Sequence, residues 1–66
     1  MKISINGEIR EVFDQINLSQ LLENLSLPAT RIAVELNKQV VRRKDWETIK
    51  IGEADKIEII HFVGGG

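Results

Sequence analysis

The sequence predicts an α+β fold: one mixed sheet of four to five strands with a single covering helix, in the order β-β-α-β-β-β. Three observations carry this. Apolar residues alternate with polar ones at the start of the chain, and a β-branched segment recurs near its end. Between them Leu18, Leu21, Leu22 and Leu25 recur at i, i+3, i+4 and i+7, one stripe of a 3.6-residue period. Asn6-Gly7, Asn37-Lys38 and the stretch 52–55 supply turn signals between the strands.

Ile3 and Ile5 alternate with Lys2, Ser4 and Asn6, which puts both isoleucines on one face of a first strand. Asn6-Gly7 tolerates the positive φ of a two-residue hairpin turn. The return strand spans 8–13, with Ile9, Val12 and Phe13 as its apolar members. Ile9 and Val12 are three apart, which predicts a bulge or a frayed end. In the helix, Asn17 is the N-cap and Gln20 at N3 completes a capping box, while Ile16 packs on Leu21 as a staple. Pro28 ends it, because proline disfavours helical geometry in the preceding Leu27. A helix with one sticky side must lie on a sheet. Residues 32–36 and 39–41 form a second hairpin, and a charged connection follows at 42–46, with Trp46 folding back over an edge of the core. Residues 56–62 form the last strand, built on Ile57, Ile59 and Ile60. The first and last strands are both apolar, so they are placed side by side and parallel at the centre.

Size and charge narrow the function. Sixty-six residues make one domain with one small core. Nine Lys and Arg against ten Asp and Glu give a net charge of −1, which suits neither nucleic acid nor an anionic membrane. The absence of cysteine excludes disulfides, thiolate metal sites and a cysteine nucleophile. No apolar run reaches the roughly 20 residues of a membrane span, and Met1-Lys2 opens no signal peptide. These features predict a cytoplasmic domain too small to enclose a substrate, a carrier or binding protein in place of an enzyme.

The terminal Gly64-Gly65-Gly66 is the informative feature, and it divides the chain into a folded domain, 1–63, and a tail, 64–66. Glycine loses more conformational freedom on ordering than any other residue, so the run adds nothing to packing. One reading is a frayed end or an expression scar. The functional reading is a ribbon without side chains that enters a narrow channel and reaches about 10 Å beyond the sheet. An α-carboxylate with a pKa near 3.5 acylates poorly until activated, for instance as an acyl-adenylate. No glycine-rich nucleotide loop followed by lysine is present, so ATP chemistry falls to a partner.

On the last strand Ile57, Ile59 and His61 share one face, and Glu58, Ile60 and Phe62 the other. If the helix covers the first face, Ile60 and Phe62, with Val63, form an apolar docking patch beside the tail; otherwise loops cover them. The lone His61 reads as structural or exposed, since no acidic cluster has metal-ligand spacing around it. Ser4, Ser19 and Ser26 lack a nucleophile-elbow context. Arg42, Arg43 and Lys44 read as a solvated loop, with electrostatic docking of an acidic partner as the lesser reading.

Ile3-Ser4-Ile5-Asn6-Gly7, Val34-Glu35-Leu36-Asn37, Val40-Val41-Arg42 and the stretch 55–66 together resemble the ThiS family. These are the sulfur carriers of thiamin biosynthesis, within the ubiquitin-like β-grasp superfamily. The resemblance spans the chain and implies the β-grasp fold. It also implies that an E1-like adenylyltransferase (ThiF) adenylates Gly66 with ATP, that a sulfur donor converts it to a thiocarboxylate, and that thiazole synthase (ThiG) takes the sulfur. No cofactor is bound, and Gly64, Gly65 and Gly66 thread into the partner sites. The alternatives are a carrier for a molybdopterin-type pathway, a non-reactive β-grasp binding module, and a modifier conjugated to lysines.

Overall fold

Five strands and one helix follow one another in the expected order in a computed structural model, which describes residues 1–27 and 30–62. They are β1 (Lys2–Ile5), β2 (Glu8–Glu11), α1 (Leu18–Asn24), β3 (Ile32–Leu36), β4 (Gln39–Val41) and β5 (Lys56–His61), with a 3-10 turn at Arg43–Asp45. The sheet order is β2-β1-β5-β3-β4. β5 runs parallel to β1 and antiparallel to β3, so the first and last strands lie side by side and parallel, with β5 at the centre, as the sequence predicts.

Both hairpins turn on left-handed residue pairs, the geometry that matches strand twist. Asn6 and Gly7 have φ of 50° and 85°, and Asn37 and Lys38 have 51° and 72°. A lysine in that region costs roughly 1 kcal/mol, an expense met by the sheet it joins. The return strand is shorter than 8–13 and ends at Glu11. Its ladder is regular from Lys2↔Glu11 to Ile5↔Glu8, and beyond it Val12 N–H donates to Met1 O at 2.9 Å while the Met1 amino group donates to Val12 O at 2.8 Å, so no bulge forms and the end does not fray. Opposed residues share a face, and Ile9 lies opposite the outward-facing Ser4. Ile9 and Val12 therefore serve opposite sides of the sheet: Ile9 is exposed, whereas Val12 packs on the core.

The capping box of α1 forms as expected. Gln20 N–H donates to Asn17 Oδ1 at 2.7 Å, and Asn17 N–H donates to Gln20 Oε1 at 3.0 Å. The other end stops earlier than proline requires. Ser26 is left-handed, with φ of 58°; its N–H donates to the Glu23 carbonyl, and the Leu27 N–H donates to the Leu22 carbonyl. That is a Schellman termination, which satisfies the last helical carbonyls before the chain reaches Pro28. Pro28 itself lies outside the described residues.

Leu18, Leu21 and Leu22 press against Ile3, Ile5, Val34, Ile57 and Ile59 in one buried cluster, joined by Ile16, Ile32, Ile51 and Trp46. The connection from the edge strand β4 to the central β5 runs along the start of the helix. Leu18 N–H donates to Ile49 O, Ser19 N–H to Trp46 O, and Ile51 N–H to Ile16 O. Loop carbonyls thus take up helix N–H groups that have no partner within the helix. Trp46 does more than cover an edge. It is buried within the cluster, and its indole Nε1–H donates to the Val41 carbonyl at 3.1 Å. No helix among the described residues is long and apolar enough to cross a membrane.

Trp46→Phe keeps most of this apolar burial and strands the Val41 carbonyl. It should cost about 1–3 kcal/mol, read as a lowered urea midpoint in far-ultraviolet circular dichroism with an unchanged m-value.

Candidate functional site: the end of the central strand and the open sheet face

The helix covers one face of the sheet and leaves the other bare. Along β5, Ile57 and Ile59 are buried while Glu58 and Ile60 are exposed, the alternation the sequence predicts. Ile60 is 49% exposed and Phe62 45%, so loops do not cover them. Val63, the third member of the expected docking patch, and the tail residues Gly64, Gly65 and Gly66 lie outside the described residues.

What fixes the end of β5 is a side chain. β1 pairs with β5 only through Ser4↔Lys56 and Ile5↔Ile57 before turning away at Asn6. The Asn6 carboxamide then takes over as a surrogate peptide: Ile59 N–H donates to Oδ1 at 2.7 Å, and Nδ2–H donates to the Ile59 carbonyl at 3.3 Å. The second hairpin uses the same device at the other end of the strand. Lys56 N–H donates to Asn37 Oδ1 at 2.9 Å, and Asn37 Nδ2–H donates to Asp55 Oδ1 at 3.0 Å. Past β5, the Phe62 N–H donates to the carbonyl of Arg31, whose own φ is 66°. The backbone is therefore held through Phe62.

Two apolar residues that the sequence does not assign to this face also belong to it. Val40 sits on the rung Glu58–Glu35–Val40, and Ile9 on the rung Lys56–Ser4–Ile9; each is 71% exposed. Strand parity alone would have placed Ile9, given the register of the Asn6-Gly7 turn. Val40 needed the pairing of β3 with β5. His61 is exposed and lines a cleft of about 200 Å³ with Glu8, Arg10, Leu25 and Leu27 on the helix side. Among the described residues no group of His, Asp and Glu is placed to hold a metal. Arg42, Arg43 and Lys44 are exposed, as a solvated connection should be.

Known proteins are similar to this chain in sequence and fold. The sequence model of the ThiS family matches residues 3–66. The sulfur carrier protein ThiS of Bacillus subtilis is 31% identical over 65 residues, covering 97% of this chain and 98% of that protein. A thiazole synthase of Magnetococcus marinus is 41% identical over 66 residues, and this chain spans only 20% of its length. The crystal structure of the thiamine biosynthesis protein ThiS from Geobacter metallireducens superposes with a TM-score of 0.87 at 29% identity, covering both chains completely. The fold is accordingly the ubiquitin-like β-grasp.

Asn6→Ala removes both bonds to Ile59 and a residue suited to the left-handed turn. Destabilisation of about 1–3 kcal/mol is expected. Amide exchange should accelerate most at Ile59, where the side-chain acceptor is lost, and least at Val34 on the far side of β5.

Proposed function

The chain belongs to the ThiS family, and on that premise we propose that it is a sulfur carrier of thiamin biosynthesis whose working group is the Gly66 carboxylate. The observation that carries the reading is the run Gly64-Gly65-Gly66 following a strand held to its last turn, within a family match that reaches Gly66. A rigid root with a tail lacking side chains suits delivery of a carboxylate into another protein's site. The reach beyond the sheet is about 10 Å, which a closed fold of this size does not otherwise provide.

The chemistry follows from the carboxylate. Ionised at neutral pH, it is a weak electrophile, because its charge is shared over two oxygens. Attack of a carboxylate oxygen on the α-phosphorus of ATP expels pyrophosphate and leaves an acyl-adenylate at Gly66. Hydrosulfide released by a sulfur donor then attacks the acyl carbon, expels AMP and gives up its proton, leaving the thiocarboxylate. Transfer of that sulfur to the thiazole precursor, with oxygen returned to the acyl carbon from water, restores the carboxylate. An E1-like adenylyltransferase supplies the first step and thiazole synthase consumes the product. The cytoplasm, where ATP is available, is where this takes place. The chain contributes no catalytic side chain; its own tasks are to present Gly66 and to dock.

Docking falls to the open face at Ile60 and Phe62, with Val63 following in sequence before the tail. The resemblance of this whole chain to a segment of a thiazole synthase supports that enzyme as the consumer.

Two measurements test the reading. Deleting Gly66 should abolish ATP–pyrophosphate exchange by the adenylyltransferase while moving the melting temperature by no more than about 1 °C, since glycine has no side chain to contribute to a core. Activation of the shortened chain at the parent's rate contradicts it. Phe62→Asp should leave the fold intact and raise the KM for the carrier about tenfold or more, because it puts a charge into an apolar contact.

A further inference from the structure

The turn of the first hairpin is made from a chemically labile pair of residues. Asn6-Gly7 is the only Asn-Gly step in the sequence; Asn17, Asn24 and Asn37 precede Leu18, Leu25 and Lys38. The side-chain carbonyl of an asparagine is open to attack by the amide nitrogen of the next residue, and a side chain on that residue hinders the approach. Gly7 has none, and a Cβ placed there would meet nothing within 4 Å. Both residues are exposed, which admits water and base. The turn geometry does not itself demand glycine, since Lys38 holds the equivalent position of the second hairpin with φ of 72°.

What opposes the reaction is the bonding of the carboxamide. Oδ1 accepts from Ile59 N–H at 2.7 Å and Nδ2–H donates to the Ile59 carbonyl at 3.3 Å, so the group must leave Ile59 before it can close on its own backbone. We propose that Asn6 is a deamidation site gated by release of its carboxamide from Ile59, and that its conversion loosens the end of β5. In the first step the Gly7 amide nitrogen gives up its proton to base and bonds to Asn6 Cγ. The Cγ–Nδ2 bond breaks, and the nitrogen leaves as ammonia with a succinimide ring behind it. Water then opens the ring. Attack at Cγ leaves an aspartyl residue at position 6; attack at the main-chain carbonyl leaves an isoaspartyl link. The aspartyl product is ionised at neutral pH and has no donor for the Ile59 carbonyl. The isoaspartyl link adds a methylene to the main chain inside the turn, against the register that pairs Ile5 with Glu8. Either product loses the double bond to Ile59.

The test keeps the full-length chain in mildly alkaline buffer, folded or in urea above its unfolding midpoint. Peptide mapping follows aspartyl and isoaspartyl products at each asparagine. In urea Asn6 should convert ahead of Asn17, Asn24 and Asn37. In the folded chain it should convert about 10–100-fold more slowly, the ratio that two net hydrogen bonds supply. As urea is raised below the midpoint, the rate at Asn6 should rise in parallel with amide exchange at Ile59, since one opening releases both groups. Gly7→Lys, which copies the second turn, should bring the rate in urea down to that of Asn37, a comparison that does not require the variant to fold. Folded chain converted at Asn6, separated by its added negative charge, should exchange the Ile59 amide about tenfold or more faster than the parent, with Val34 changed by about twofold or less. A folded rate within about twofold of the rate in urea overturns the inference, because the bonds to Ile59 then hold nothing back. So does a rate at Asn6 that rises without exchange at Ile59, another asparagine converting first in urea, a Gly7→Lys rate in urea equal to the parent's, or an Ile59 amide unchanged in the converted chain.

Discussion

The structure depends on β5 being paired along both of its edges. A strand at the centre of a five-stranded sheet must satisfy its N–H and C=O groups on two sides, or bury them at a cost of a few kcal/mol. β3 runs the full length of one edge, but β1 stops two residues in, because it must turn at Asn6-Gly7 to make the first hairpin. The asparagine at that turn does two jobs. Its backbone adopts the left-handed geometry the turn requires, and its carboxamide continues the ladder onto Ile59. Aspartate, able only to accept when ionised, could not replace both bonds, and glycine would supply the turn alone.

From that arrangement the division of the molecule into two faces follows. With β5 fixed, Ile57 and Ile59 must point to the helix, and Glu58 and Ile60 must point away. The capping box and the Schellman end make α1 short and self-contained, so it shields only the central strands. Among the described residues nothing crosses back over the other face. The loop from β4 to β5, which has enough residues to do so, is instead bonded along the helix start and buries Trp46 there. The bare face and the held strand end therefore come from one set of constraints.

Much of this was legible in the residues. The leucine stripe, the Asn17/Gln20 box, both hairpin turns and the parallel placement of the first and last strands read directly from local periodicity and turn chemistry. The return strand was harder. A spacing of three between Ile9 and Val12 breaks the alternation, and a single sequence does not say which of them abandons the core. The register set by the tight turn answers it, by placing Ile9 opposite Ser4. Proline seemed to end the helix because Ser26 carries no local mark of a left-handed cap, a position where glycine is usual. The Glu35–Glu58 opposition and the Asn6–Ile59 bonds join residues 23 and 53 apart in sequence. No local pattern encodes such distances, so long-range pairing had to be seen.

The most direct test of the central claim is the intact mass of the untagged protein isolated from its own cells under thiamin starvation. A species heavier than the parent by the difference between sulfur and oxygen, localised to Gly66 by fragmentation and lost on hydrolysis, is the predicted result. A single unmodified mass, persisting after incubation with ATP, the adenylyltransferase and a sulfur donor, would contradict the carrier account and leave a β-grasp domain that only binds.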